Sequence, residues 1–121
     1  DLFEYLMGSV NGTLGNMQQI SWKNKSAVCI VLASKGYPES YQKGDEIFGL
    51  GNTFDDANIF HAGTKEQDKK IITNGGRVLG VTALGNTLES AIKHAYDITE
   101  KITWENKYLR TDIGKKGLTH L

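Results

Sequence analysis

Residues 70–84 read KIITNGGRVLGVTAL, and no other stretch restricts the fold as much. Two β-prone runs flank Asn74-Gly75. A type I′ turn needs φ > 0 at both central residues, and Asn-Gly meets that need, so the stretch predicts a β-hairpin. Gly76 predicts a bulge beside the turn. Directly downstream, Asn86 lies three residues before Glu89 and predicts a helix start with Asn86 as the cap. Leu88, Ala91, Ile92, Ala95, Ile98, Thr99 and Ile102 then recur at helical spacing. A hairpin that feeds one long amphipathic helix implies an α+β domain: a small, mainly antiparallel sheet under a covering helix.

The rest of the chain fits that frame. Leu2, Phe3, Leu6 and Val10 share one helical face, and Gly12 is a stop, so the chain opens with a helix that needs something to pack on. Residues 18–22 and 27–33 read as strands. The second, AVCIVLA, is almost continuously apolar and suits a strand covered on both faces. Pro38 stands between Gly36 and Gly44 and marks a loop flanked by Tyr37 and Tyr41. Residues 57–62 read as strand and 65–70 as a polar turn. The tail is polar, with Trp104, Tyr108 and Ile113 placed to tie it down.

A chain of 121 residues buries a core without staples and suggests one domain, or a small domain plus a piece of another. Lys+Arg and Asp+Glu both number 14, so bulk charge draws the chain to neither nucleic acid nor an anionic membrane. No apolar run approaches the ~20 residues that span a bilayer, and no signal peptide is visible. Cys29 is the only cysteine, which excludes an intrachain disulfide and fits a reducing, cytoplasmic setting. Its apolar run predicts a buried, inert thiol. The chain begins with Asp1 inside an amphipathic pattern, as an excerpt from a longer polypeptide would.

Most catalytic chemistry finds no pattern here. His61, His94 and His120 sit in unrelated contexts, and no HxxxH, CxxC or EF-hand spacing predicts a metal. GLGNTF has Phe54 where a third phosphate-loop glycine belongs, and no Walker lysine follows any glycine cluster. No GxSxG is present. His61 reads first as a hydrogen-bonded structural residue at a strand end, and Tyr37-Pro38 as a rigid turn. Arg77 is different. On a regular strand it shares a face with Leu79, Val81 and Ala83, beside glycines that let a ligand approach the backbone. Its guanidinium seeks a carboxylate or a phosphate. An internal Asp or Glu and a ligand anion both satisfy that demand.

Four blocks, VLASKGYPESYQKGDEI, IFHAGT, TNGGRVLGVTALGNTLESA and KYLRTDIG, occur in this order from residue 31 to residue 114. Together they resemble the C-terminal part of the phosphoribosylamine–glycine ligase family of ATP-grasp enzymes. That resemblance implies a ligase that joins glycine to 5-phosphoribosylamine with ATP, early in purine synthesis, using Mg²⁺ or Mn²⁺. It implies that residues 1–17 end the ATP-grasp domain as helix and connector, and that residues 18–121 form the C-terminal domain. The nucleotide and metal sites then lie in the ATP-grasp part, so this piece alone has no catalytic residue, binds no cofactor and is inactive. The resemblance further implies a phosphoribosyl site in which Arg77 holds the 5-phosphate and the N–H groups of Gly75 and Gly76 assist. The resemblance also implies that the loops carrying His61, Gly63 and Thr64, and Gly36, Tyr37 and Pro38, line the same cleft.

Two other readings use the same residues. Formate-dependent glycinamide ribonucleotide formylation and biotin carboxylation rely on similar C-terminal domains, although the GYP and HAGT blocks favour the glycine ligase. A non-catalytic module would instead use Leu2, Phe3, Leu6 and Val10 to meet another chain.

Overall fold

The computed structural model describes residues 1–119, so His120 lies outside the described residues. Helix α1 spans Leu2–Val10, capped by the Asp1 carboxylate, which accepts from the Phe3 N–H at 3.0 Å. A single 3₁₀ turn follows at Leu14–Asn16. Strands β1 (Ser26–Ser34), β2 (Ala57–His61), β5 (Arg77–Gly85) and β6 (Lys107–Tyr108) form one antiparallel sheet in the order β2-β5-β1-β6. Strands β3 (Thr64–Gln67) and β4 (Lys70–Thr73) form a separate two-stranded ribbon. Helix α2 (Leu88–Thr99) packs over β1 and β5, and a short α3 (Lys115–Leu118) closes the described tail. The expected α+β class, with a small antiparallel sheet and one covering helix, is what forms.

The core explains that layering. Ala91, Ala95, Ile98 and Thr99 recur along one stripe of α2 and are buried. They meet Val28, Ile30 and Leu32 of β1 and Leu79, Val81 and Ala83 of β5. Ile102 and Trp104, just past the helix, complete the cluster. Ile98 is only 1% exposed. Ile98→Ala should therefore cost about 3 kcal/mol, read as a lower urea midpoint at unchanged slope. The α2 cap is Thr87, one residue beyond Asn86: Thr87 and Ser90 form a reciprocal capping box, with the Ser90 N–H donating to Thr87 Oγ1 at 3.1 Å. Ser90 supplies the return bond that Glu89 was expected to give.

Four further expectations fail for physical reasons. Residues 18–22 are irregular rather than strand and find no sheet partner among the described residues. Strand β1 is covered on one face only: Cys29 is exposed and Val31 is 43% exposed, while Val28, Ile30 and Leu32 are buried. The continuous apolar run hid an ordinary alternation. Residues 65–70 are not merely a turn, because they contain most of the β3–β4 hairpin. Its two-residue turn is Asp68-Lys69, at φ 51° and 63°. Asn74-Gly75 is consequently no hairpin turn; β4 pairs with β3, and residues 74–76 cross from the ribbon to the main sheet.

A further difference reorients the site. The register of β1 against β5 slips, with Leu32 opposite Leu79 and Ala33 opposite Arg77. Val78 is the extra residue, so the bulge falls there and not at Gly76. Val78 and Leu79 are both buried in succession, which reverses the in–out alternation. Arg77 therefore leaves the face of Leu79, Val81 and Ala83. It stands with Ala33, Val31 and Cys29 on the side of the sheet away from α2.

Candidate functional site

The glycines around Arg77 are spaced for backbone contact. A Cβ on Gly63 would stand 2.6 Å from both the Arg77 carbonyl oxygen and Gly75 Cα, and a Cβ on Gly75 would stand 2.9 Å from Gly63 Cα. A Cβ on Gly76 would overlap the Tyr37 ring. Only hydrogen fits at these positions, so the chain at residue 63 lies directly on the chain at residue 75. Hydrogen bonds fasten the crossing. Gly63 N–H donates to Arg77 O at 2.9 Å, Asn74 N–H to Gly63 O at 2.7 Å, and Ser34 N–H to Gly76 O at 2.9 Å. The Ser34 hydroxyl adds a bond to Gly75 O at 3.1 Å. No protein acceptor takes the N–H of Gly75 or Gly76 among the described residues. Gly76 is buried, where an unpaired N–H is costly without a solvent or ligand acceptor.

Arg77 is exposed and stands between two concavities. The larger, about 520 Å³, has Phe60, His61, Gly63, Gly76 and Gly80 around it. The smaller, about 280 Å³, is mostly apolar and has Cys29, Ala33, Leu109 and Ile113 in its wall. Val31, Tyr37 and Arg77 border both. The four ion pairs among the described residues are Lys25–Asp56, Lys70–Glu46, Lys93–Asp97 and Arg110–Asp112. Arg77 belongs to none, so no internal carboxylate satisfies it there.

The expected site residues divide into three groups. Arg77, Gly76, His61, Gly63 and Tyr37 meet at the larger concavity. Gly75 and Thr64 support it from behind: Gly75 packs on Gly63, and Thr64 Oγ1 bonds His61 Nδ1 at 3.0 Å. That bond orients the ring and leaves Nε2 with no protein partner among the described residues. Gly36 and Pro38 do not line either concavity. Gly36, at φ 97°, shapes the turn after β1 with Ser40 O directly against it, and Pro38 sits within that turn. The turn's contribution is Tyr37, whose ring lies on Gly76 and meets Tyr41 edge-on at 5.9 Å.

Sequence reasoning missed Val31, Phe60, Tyr108 and Arg110. The first two follow from strand alternation once β1 is known to have an open face. Arg110 carried a local signal in the spacing of RTD, because an Arg two residues before an Asp can close a fork. Arg110 Nε and Nη2 donate to the two Asp112 oxygens at 2.9 and 2.6 Å. The hydrogen bond from Arg110 holds the Asp112 carboxyl below its ordinary value, and the same bond raises the guanidinium. Cys29 was expected buried and inert; it is exposed beside Gly80 on the open face. One equivalent of a thiol reagent should therefore label Cys29 in the folded protein without denaturant, followed by absorbance of the released chromophore.

Residues 27–116 match the family model described as "Phosphoribosylglycinamide synthetase, C domain". The chain belongs to that family. Similar proteins include the phosphoribosylamine–glycine ligase of Synechocystis sp., 48% identical over 118 residues that make up 97% of this chain and 28% of that protein. The bifunctional purine biosynthetic protein purD of Dictyostelium discoideum is 46% identical over 124 residues, 100% of this chain and 15% of that protein. The crystal structure of phosphoribosylamine–glycine ligase from Thermotoga maritima superposes with a TM-score of 0.71 at 37% identity, covering 89% of this chain and 27% of that one. This C-domain chain thus spans well under a third of the length of these relatives. Among the described residues no helix is long and apolar enough to cross a membrane.

Proposed function

We propose that this chain is the C-terminal part of a cytoplasmic ligase that joins glycine to 5-phosphoribosylamine, giving glycinamide ribonucleotide while ATP becomes ADP and phosphate. In this reading residues 1–17 close an ATP-grasp domain and residues 18–121 form the domain that holds the phosphoribosyl substrate. ATP phosphorylates the glycine carboxylate, and the ribosylamine nitrogen attacks the activated acyl carbon. The C-terminal domain contributes binding. Arg77 takes the 5-phosphate through charge-assisted hydrogen bonds, and the N–H of Gly76 adds a backbone donor. Tyr37 and His61 flank the ribose. Holding the phosphate at a fixed point places the amine, and placement converts an encounter into a near-unimolecular step.

The single observation behind this reading is Arg77: an exposed guanidinium turned onto the open sheet face by a bulge, with no carboxylate partner among the described residues. Three or more His, Cys, Asp or Glu side chains do not gather anywhere among the described residues, so these do not fit a divalent ion. ATP and its Mg²⁺ or Mn²⁺ belong, in this proposal, to the ATP-grasp part of the same polypeptide. The test is steady-state ADP release by the intact polypeptide. Release that requires both glycine and 5-phosphoribosylamine supports the reading. Release that requires formate and glycinamide ribonucleotide instead would assign formylation and overturn it.

A further inference from the structure

Resting on the phosphoribosyl reading of Arg77, we propose that Arg110 is a second phosphate-contacting residue, reaching the phosphate from the smaller concavity that Arg77 also borders and held in position by Asp112. Both arginines line the smaller concavity, with Val31, Ala33, Leu109 and Ile113 supplying an apolar wall between them. Two guanidiniums at the rim of one 280 Å³ cavity make that rim positive. A single carboxylate, Asp112, offsets one of the two charges. The rim stays net positive and offers free guanidinium N–H donors, which suits an anion with several acceptor oxygens such as a phosphate monoester.

The Arg110 geometry fits a contact residue. Its fork to Asp112 engages Nε and Nη2, while Nη1 has no protein partner among the described residues. The backbone beneath it is fixed as well: Tyr96 Oη donates to Arg110 O at 2.8 Å and accepts from the Ile113 N–H at 3.1 Å. A guanidinium oriented in this way loses little rotamer freedom when an anion arrives. The tail after β6 thereby becomes part of the site, and the second edge of the phosphate meets Arg110 while the first meets Arg77.

The test is a calorimetric titration of the intact polypeptide with ribose 5-phosphate, comparing wild type with Arg77→Ala, Arg110→Ala, Arg110→Lys and Asp112→Asn. Arg110→Ala is expected to weaken binding about tenfold or more. Arg110→Lys should recover part of that loss, and Asp112→Asn should lose severalfold by freeing the guanidinium. Wild-type affinity in Arg110→Ala, alongside lost affinity in Arg77→Ala, would overturn the role of Arg110 and leave the phosphoribosyl reading intact. Equal losses of melting temperature in Arg110→Ala and Asp112→Asn with unchanged affinity would likewise reduce the fork to a structural tie. Equal affinity in wild type and Arg77→Ala would overturn both claims.

Discussion

On the proposed ligase reading, Arg77→Ala in the intact polypeptide should raise KM for 5-phosphoribosylamine by roughly thirtyfold or more, while KM for ATP and for glycine stays nearly constant. A hydrogen bond to a charged group contributes about 2 kcal/mol or more where both partners are desolvated, which is that factor in affinity. The effect is confined to one substrate because Arg77 touches only the phosphoribosyl end in this account. Stability should change little, since the side chain is exposed and makes no ion pair among the described residues. Arg77→Lys should recover only part of the loss, because an ammonium cannot offer a planar pair of donors. Initial-rate kinetics with each substrate varied in turn reads all of these outcomes.

Gly63→Ala should be the most damaging single methyl in the site. The added carbon would sit 2.6 Å from the Arg77 carbonyl oxygen and from Gly75 Cα. Both neighbours are backbone, so no side chain can swing aside. The strand crossing must open, which stretches the Gly63 N–H to Arg77 O and Asn74 N–H to Gly63 O bonds together. Overpacking of this kind costs about 3 kcal/mol, a drop in melting temperature on the order of 10 °C for a domain of this size. The proposed phosphoribosyl site should loosen with it. Gly51→Ala is the control: a Cβ there meets nothing within 4 Å, and its melting temperature should stay within about 2 °C of wild type. Thermal unfolding of the two variants side by side checks the contrast.

The covering helix was legible because its stripe of Ala91, Ala95 and Ile98 is a local pattern with a strong period. The sheet was legible in composition and less so in connection. Asn74-Gly75 has the stronger turn propensity, yet Asp68-Lys69 makes the turn. The glycines at 75 and 76 answer a different demand: Gly63 and Tyr37 approach them from distant parts of the chain. Tertiary proximity of that kind leaves no mark on neighbouring residues. The bulge at Val78 is hidden for the same reason, since it exists only as a register slip against β1. Without it, Arg77 falls on the core side of the sheet. The charged and glycine residues of the candidate site stand out in the sequence, because their chemistry is unusual in place. Its apolar borders, Val31 and Phe60, read as ordinary strand residues, because nothing local reports which sheet face stays open.

A crystal structure of the intact polypeptide soaked with ribose 5-phosphate would locate the phosphate directly. Phosphate density is expected within hydrogen-bond distance of the Arg77 guanidinium and the Gly76 N–H, with the ribose directed toward Tyr37 and His61. A phosphate bound elsewhere, with Arg77 left in solvent, would contradict it.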